Sequence, residues 1–233
     1  MNMADRYSRQ TMLPQIGQEG QKRLTAATVL IVGVGGLGSA VSTYLAGAGI
    51  GRLILADPDV VSLSNLQRQV LYSECEIGLP KTVCAARRLR SINSEVEIEI
   101  CQEGITADNA LSLVGQCDLV IDCTDNYATR YLIDDACHQA AKPWIYGTIG
   151  EFDGQVCLFT PRSGLRYSDL YEERETLCSL PRRTAGVLGA VPGVVGAVQA
   201  CQAVKYLAGF GDTLEGRLWA IDLITLQSTI INI

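Results

Sequence analysis

The chain has 233 residues, a net charge of −6 and a sequence pI near 4.9. That length is typical of a single α/β domain, which would span residues 1–233. An acidic chain offers no basic face, and this argues against nucleic acid as a partner.

The nine cysteines include no C-x-x-C pair. Scattered thiols are typical of a reducing compartment, and the usual spacing of structural zinc ligands is absent. The first ten residues are charged and lack an apolar core, which predicts no signal peptide. The uncharged stretch 184–204 is long enough to span a bilayer, but its glycines and Pro192 favour a buried loop that leads into a buried helix. We therefore expect a cytoplasmic protein that does not enter the membrane.

A glycine turn follows the first predicted strand. Residues 28–32 are apolar and β-branched, and Gly33, Gly35 and Gly38 come next at G-x-G-x-x-G spacing. Such a turn brings the backbone close to phosphate, and the helix that begins after it supplies free N–H groups. A second apolar strand, 52–56, ends at Asp57, where a ribose-binding acid is expected. The pattern predicts a nucleotide site.

The polar segment after Asp57 favours ATP over NAD. A triphosphate needs cations and amide donors, whereas a nicotinamide site has no comparable need beyond its ribose acid. Taken one at a time, such charges are more often solvated surface residues. Here they occur together in a polar run, with Lys81 a short way on: Asp57, Asp59, Ser62, Ser64, Asn65, Gln67, Arg68 and Gln69.

A second polar group follows a buried strand. The pattern predicts a helix at 82–92, a strand at 96–101, a helix at 107–114 and an apolar strand at 119–123. That last strand ends in Thr124, Asp125 and Asn126, and ligands bind outside the carboxyl ends of parallel strands. Asp125 is thus a candidate metal or catalytic carboxylate. Its alternative role is N-cap of the helix predicted at 128–140, and position alone does not separate the two.

The C-terminal half predicts antiparallel additions to the sheet. Strands at 144–148 and 155–160 are joined by the turn 150–154, and two more are predicted at 218–222 and 228–233. The polar stretch 162–184 has few large apolar residues, so we expect a crossover loop with no core of its own. A helix at 194–207 should end at Gly209. We expect an α/β fold with a Rossmann-like, doubly wound, mainly parallel sheet extended by antiparallel strands. Its nucleotide-binding part would cover about 25–150, with the crossover loop at 162–184 and the C-terminal helix and strands at 185–233.

Several motifs together resemble one known family. The chain carries, in order, RYSRQ at 6–10, GVGGLGS at 33–39, SNLQRQ at 64–69, DCTDN at 122–126 and AGVLG at 185–189, together with Asp57 and Lys81. This combination resembles the ThiF, MoeB and HesA family, which includes the activating enzymes for ubiquitin-like proteins. The resemblance implies an ATP-dependent adenylyltransferase that activates the C-terminal carboxylate of a small sulfur-carrier protein with a Gly-Gly tail.

The resemblance also implies residue roles. Asp57 would hold the ribose hydroxyls, Asp125 would hold Mg²⁺, and Arg9 would enter the partner's site as an arginine finger, which implies a homodimer. The remaining nucleotide contacts would come from Gly33, Gly35, Gly36, Gly38, Asn65, Arg68, Gln69, Lys81 and Asn126.

Two departures from the family concern zinc and sulfur transfer. Bacterial relatives usually carry two C-x-x-C zinc pairs, one near 167–171 and one near the C-terminus, and neither is found in this sequence. We therefore expect no zinc. The crossover cysteine of relatives lies three residues before the Ala of AGV, which here is Arg182. The nearest thiol is Cys178, which is either a displaced sulfur-transfer nucleophile or a spare surface cysteine.

Other functions share parts of this pattern. The same chemistry could adenylate a small-molecule or peptide carboxylate in cofactor or natural-product assembly. An NAD-dependent oxidoreductase would share the glycine turn but would explain neither SNLQRQ nor CTDN. A non-catalytic binding protein is disfavoured because every ATP-site position is intact.

Overall fold

The computed structural model describes residues 6–181 and 186–233. Its helices are α1 Ser8–Thr11, α2 Gly17–Ala26, α3 Gly36–Ala48, α4 Lys81–Ile92, α5 Ala110–Gly115, α6 Tyr127–Gln139, α7 Tyr167–Leu170, α8 Arg174–Ser179 and α9 Val191–Ala208. Its strands are β1 Thr28–Val32, β2 Arg52–Ala56, β3 Glu97–Cys101, β4 Leu119–Asp122, β5 Trp144–Ile149, β6 Asp153–Phe159, β7 Arg217–Asp222 and β8 Gln227–Asn232.

All eight of these strands form one sheet, in the order β3-β2-β1-β4-β5-β6-β7-β8. The first five strands in this order, β3-β2-β1-β4-β5, pair in parallel. Strands β6, β7 and β8 then add antiparallel to one edge. The expected fold class is confirmed: a doubly wound, mainly parallel sheet with antiparallel strands at its C-terminal end.

The central strands are buried on both faces. In β1, Val29 and Ile31 face one apolar core while Leu30 and Val32 face the other, which is the two-residue alternation of a strand. Helices α3, α4 and α9 cover the first core, and α5 and α6 cover the second. The result is a sheet between two helical layers, the arrangement expected for continuous apolar strands.

The segment after β6 corrects one sequence prediction. The polar stretch 162–184 was expected to lack a core, yet residues 162–181 contain α7 and α8. Tyr167 is fully buried, with its ring centroid 5.1 Å from that of Tyr131 and 5.3 Å from that of Tyr146. Tyr167 and Tyr171 both pack in this core with their large apolar rings. Each also carries a polar hydroxyl, so neither stands out in the sequence as a core residue. Residues 182–185, which include Arg182, lie outside the described residues.

Two helix starts differ from prediction by three residues. Helix α9 begins at Val191, ahead of the predicted 194, because Pro192 occupies its first turn, where the missing N–H costs nothing. Helix α5 begins at Ala110 rather than 107, because Asn109 and Thr106 bond each other's backbone amides and close a turn before it. Gly209 ends α9 in the left-handed conformation, as predicted. Among the described residues, no helix combines the length and apolar character needed to cross a bilayer.

Candidate functional site

The glycine turn lies where the strand order reverses. The chain leaves β1 toward β2 and β3 and returns on the other side as β4, so a crevice opens between the carboxyl ends of β1 and β4. Gly33 has φ of +89°, and a Cβ there would lie 2.8 Å from the carbonyl oxygen of Cys123. Only glycine fits between these two strand ends. The N-terminus of α3 follows directly and points its free amides into the crevice.

Gly38 permits the tightest approach in this turn. A Cβ at this position would lie 2.1 Å from the carbonyl oxygen of Gly33, which is backbone and cannot swing aside. We expect Gly38→Ala to destabilise the fold by about 3 kcal/mol or more. Urea unfolding would measure this.

The matched control is Gly47→Ala, on the same helix, where a Cβ would meet nothing within 4 Å. That change should stabilise the protein by about 0.5–1 kcal/mol, because alanine restricts the unfolded chain and favours helix. Equal effects of the two substitutions would contradict the packing argument.

Asp57 is fixed against the turn. Its carboxylate accepts a hydrogen bond from the backbone N–H of Val34 at 2.8 Å and another from Asp59 at 2.8 Å. On the other side of the same peptide segment, the Tyr72 hydroxyl donates to the Val34 carbonyl at 2.6 Å. The turn and the acid are therefore held as one unit. Burial raises the pKa of Asp57, and the Lys81 charge opposes that rise.

Lys81 differs from the free cation that its position in the polar run suggests. The side chain is only 6% exposed, and its ammonium bonds the Asp59 carboxylate at 2.9 Å. Asp59 is itself well exposed, so the pair lies at the rim of the crevice. The ammonium is held in a fixed position, where it places positive charge near Asp57 and the turn. A compact charge in that position is suited to binding phosphate.

The SNLQRQ segment packs directly on the turn. Asn65 ends a short 3₁₀ helix and accepts from the Ser62 amide at 3.2 Å. Arg68 donates to the Ser64 carbonyl at 2.9 Å, and none of the described carboxylates forms an ion pair with it. A Cβ on Gly36 would lie 3.8 Å from the Arg68 side chain. The guanidinium therefore has donors left for an anion.

Gln69 is buried beside Gly35. The side chain is 4% exposed, and a Cβ on Gly35 would lie 3.4 Å from its amide nitrogen. The amide oxygen of Gln69 has no hydrogen-bond partner within the described part of the chain. A buried polar atom without a partner is costly in a folded protein, and a ligand that enters the crevice would remove that cost.

The start of helix α9 packs against the glycine turn and the SNLQRQ segment. A Cβ on Gly36 would lie 2.9 Å from Pro192, and a Cβ on Gly189 would lie 2.3 Å from the Gln67 carbonyl oxygen. Pro192 therefore contacts the glycine turn, and Gly189, just before α9, contacts the SNLQRQ segment.

Asp125 and Asn126 have separate roles. The N-cap of α6 is Asn126, whose side chain accepts from the Thr129 amide at 2.9 Å. The alternative interpretation of Asp125 as this cap is wrong, because the first helical residue is Tyr127 and the residue before it is Asn126. Asp125 is exposed, and no hydrogen bond or ion pair engages its carboxylate among residues 6–181 and 186–233. In the same ranges, no three His, Cys, Asp or Glu side chains come together as a metal site.

Arg9 does not lie with the other predicted residues. Tyr7, two residues before it, packs on Gly49 at the C-terminal end of α3, and its hydroxyl accepts a hydrogen bond from the Asn93 side-chain amide at 2.8 Å. The glycine turn is at the opposite end of α3, a helix of 13 residues and therefore about 20 Å long. The exposed Arg9 therefore lies at the end of α3 that is away from the crevice of its own chain.

Cys178 is exposed on α8, a helix that packs against α6. The structure thus leaves its thiol accessible. Residues 182–185, which lie outside the described residues, come between it and α9 in the chain.

Sequence reasoning missed three residues of the site. Asp59 belonged to the polar run but had no role assigned, Tyr72 had no signal beyond its type, and Arg130 lay inside a predicted helix. Arg130 is 5% exposed and its side chain reaches back to the DCTDN segment. The sequence sign available was a charged residue on the helix face that also carries the apolar Ile133 and Cys137.

Comparison with known proteins agrees with this geometry. The chain is 42% identical over 226 residues to a Thermus thermophilus protein named "Sulfur carrier protein adenylyltransferase", which covers 94% of this chain and 83% of that protein. It is 40% identical over 228 residues to a Porphyra purpurea protein named "Probable molybdopterin-synthase adenylyltransferase". That match covers 95% of this chain but only 59% of the Porphyra protein, so the chain spans less than two thirds of that relative's length.

A solved structure of an ATP-bound protein has a similar fold. The structure of E. coli MccB with ATP has a TM-score of 0.83 and 26% identity, over 98% of this chain and 71% of the MccB chain. The family model described as the ThiF family matches residues 7–233. With nearly its whole length matched, the chain belongs to the ThiF family.

Proposed function

We propose that the chain is an ATP-dependent adenylyltransferase that activates the C-terminal carboxylate of a ubiquitin-like sulfur-carrier protein. The observation that carries the proposal is the grouping of Asp57, Arg68, Gln69 and Lys81 around one glycine turn. The names of the Thermus and Porphyra relatives support the same activity. An NAD-dependent oxidoreductase would need the turn and Asp57 but would leave Arg68 and Gln69 without a role.

The nucleotide would lie across the crevice. Asp57, which keeps acceptor capacity beyond its two backbone bonds, would take the ribose hydroxyls. Arg68 would bind phosphate as a planar fork and Lys81 as a point charge. The amides at the start of α3 would meet the phosphates at close range. The other proposed contacts are Gly33, Gly35, Gly36, Gly38, Asn65, Gln69 and Asn126.

Asp125 would hold Mg²⁺. The ion usually takes one or two protein carboxylates and fills its remaining positions with phosphate oxygens and water, so one free carboxylate fits this requirement. When bound, Mg²⁺ would neutralise charge on the phosphates and make pyrophosphate a better leaving group. We propose no resident zinc.

The reaction needs positioning more than acid-base chemistry. An oxygen of the substrate carboxylate attacks the α-phosphorus, the bond to pyrophosphate breaks, and an acyl-adenylate and pyrophosphate form. The nucleophile is already an anion, so no general base is required. The single histidine, His138, is exposed near the end of α6, which agrees with that.

A homodimer would complete the site. Because Arg9 is at the far end of α3 from its own crevice, it can act at a crevice only in a second copy of the chain. An arginine supplied in this way would stabilise charge on the reacting phosphate.

The thiols support a proposed compartment and supply a candidate residue for sulfur transfer. All nine cysteines lie in the described ranges and are free, which supports a cytoplasmic protein. The exposed Cys178 is our candidate for receiving the activated acyl group in sulfur transfer.

A second substrate class shares this chemistry. The solved relatives at 25% identity include E. coli MccB with MccA-N7isoASN, and this favours a small-molecule or peptide carboxylate as the alternative substrate.

Pyrophosphate exchange tests the proposal. We expect labelled pyrophosphate to enter ATP only when a Gly-Gly-tailed carrier protein is added, since exchange requires reversible adenylate formation. Cys178→Ala should leave exchange within about twofold of wild type and lower only later sulfur transfer. Exchange driven by a small carboxylic acid with no response to any carrier would move the assignment to the alternative substrate.

A further inference from the structure

A buried ion pair lies next to the Asp125 loop. Asp122, the last residue of β4, is fully buried, and Arg130, in the first turns of α6, is 5% exposed. The Arg130 Nε and the Asp122 Oδ2 are 3.4 Å apart. Burial raises the pKa of the Asp122 carboxyl, and the Arg130 guanidinium opposes that rise. Neither residue reaches the crevice surface, so neither is a catalytic residue.

The pair holds Thr124 from both sides. Asp122 Oδ1 accepts from the Thr124 backbone N–H at 2.9 Å and from its hydroxyl at 2.6 Å. Arg130 Nη2 donates to the Thr124 carbonyl at 3.0 Å and to the Thr148 hydroxyl at 3.1 Å. Both backbone polar groups of the residue just before Asp125 are therefore fixed to buried charges.

Stability alone does not account for this pair. Two buried charges are costly to remove from water, and apolar residues of similar size are often as stable in their place. The guanidinium also lies over the rings of Tyr127, at 5.6 Å, and Tyr146, at 5.4 Å, which adds cation–π attraction and restricts its orientation. The arrangement fixes where Arg130 points, and Arg130 points at the loop.

We propose that Arg130, locked by Asp122, is the positioning residue for the Asp125 loop. It holds the Thr124 peptide so that the Asp125 carboxylate faces the crevice in one conformation. The kinetic consequence rests on the proposed function, in which Asp125 binds Mg²⁺. The structural consequence, a rigid loop at 123–126, does not.

Arg130→Lys is the informative variant. Lysine keeps a positive charge but has only one nitrogen, so it cannot lie beside Asp122, as Arg130 Nε does, and also bond Thr124 and Thr148, as Arg130 Nη2 does. We expect faster amide hydrogen exchange in a peptide covering 119–130 of the ligand-free protein. We also expect the half-saturating Mg²⁺ concentration in pyrophosphate exchange to rise about tenfold and kcat to fall about tenfold, with KM for ATP changed by less than about twofold.

Arg166→Lys is the matched control. Arg166 also pairs with a buried carboxylate of α6, bonding Asp134 at 2.9 Å, but has no described contact with residues 122–126. It should lose comparable thermal stability while leaving hydrogen exchange at 123–126 and the Mg²⁺ dependence unchanged. Thr124→Val, which deletes the hydroxyl bond to Asp122 and leaves the ion pair intact, should shift both readouts in the same direction as Arg130→Lys and serves if that variant folds poorly.

The outcomes separate the two proposals. Unchanged exchange at 123–126 in Arg130→Lys and Thr124→Val would overturn the positioning role, as would an equal change in Arg166→Lys. A wild-type protein with no pyrophosphate exchange under any carrier would count against the adenylyltransferase, and hydrogen exchange in the ligand-free protein would still decide the role of Arg130.

Discussion

Asp125→Asn should lower the rate of adenylate formation by about a thousandfold with little change in stability. The substitution would replace the proposed Mg²⁺ ligand, an anion, with a neutral amide that binds Mg²⁺ weakly, so the departing pyrophosphate would lose its counter-charge. The fold should tolerate the change because Asp125 is exposed and the cap of α6 is Asn126. Pyrophosphate exchange and thermal unfolding, measured on the same preparation, would test both halves of this expectation.

The control for this variant is Asp212→Asn. Asp212 is also exposed, and its loop follows α9, whose C-terminal end lies beside α2 and away from the crevice. Both substitutions change the net charge equally, so a general electrostatic effect would alter both proteins. Normal turnover of Asp125→Asn would show that this carboxylate holds no essential ion.

Local patterns predicted the parts of the fold that depend on local physics. Strands β1 and β2 begin and end where the apolar runs do, at Thr28–Val32 and Arg52–Ala56. Their side chains are buried on both faces, so an unbroken apolar run was the correct signal. The glycine turn was equally readable, because Gly33 and Gly38 sit where no side chain fits.

What the sequence could not show depends on contacts between distant segments. Tyr167 is buried because its ring meets Tyr131, 36 positions earlier and on another helix. Arg130 reads as one more helical charge until α6 is placed against β4 and brings it to Asp122. Lys81 was predicted to contact phosphate, and the sequence did not show that its ammonium also pairs with Asp59.

For Arg9, the sequence motif suggested a role but did not show where in the fold the residue lies. The RYSRQ segment indicated a role at the phosphates, but sequence alone does not tell which end of α3 the segment meets. The contact of Tyr7 with Gly49 places it at the end away from the turn. If Arg9 has the proposed role at the phosphates, this geometry allows it to act only in the crevice of a second chain.

Mixing two inactive variants should restore activity. Arg9→Ala removes the arginine that a partner's site needs, and Asp125→Asn removes the carboxylate of its own site. In a mixed dimer, the Arg9→Ala chain keeps its Asp125 and receives Arg9 from its partner, so one of the two sites works. Random exchange of equal amounts makes about half of the dimers mixed, and total activity should therefore return to about one quarter of wild type.

Dilution distinguishes this result from contamination or simple addition. The restored activity should appear at the rate of subunit exchange and fall when the mixture is diluted below the concentration at which dimers persist. Each variant alone should stay inactive over the same period. A wild-type protein that is monomeric by light scattering at micromolar concentration yet fully active would place Arg9 outside the reaction, because in a lone chain its segment lies at the far end of α3, a helix about 20 Å long.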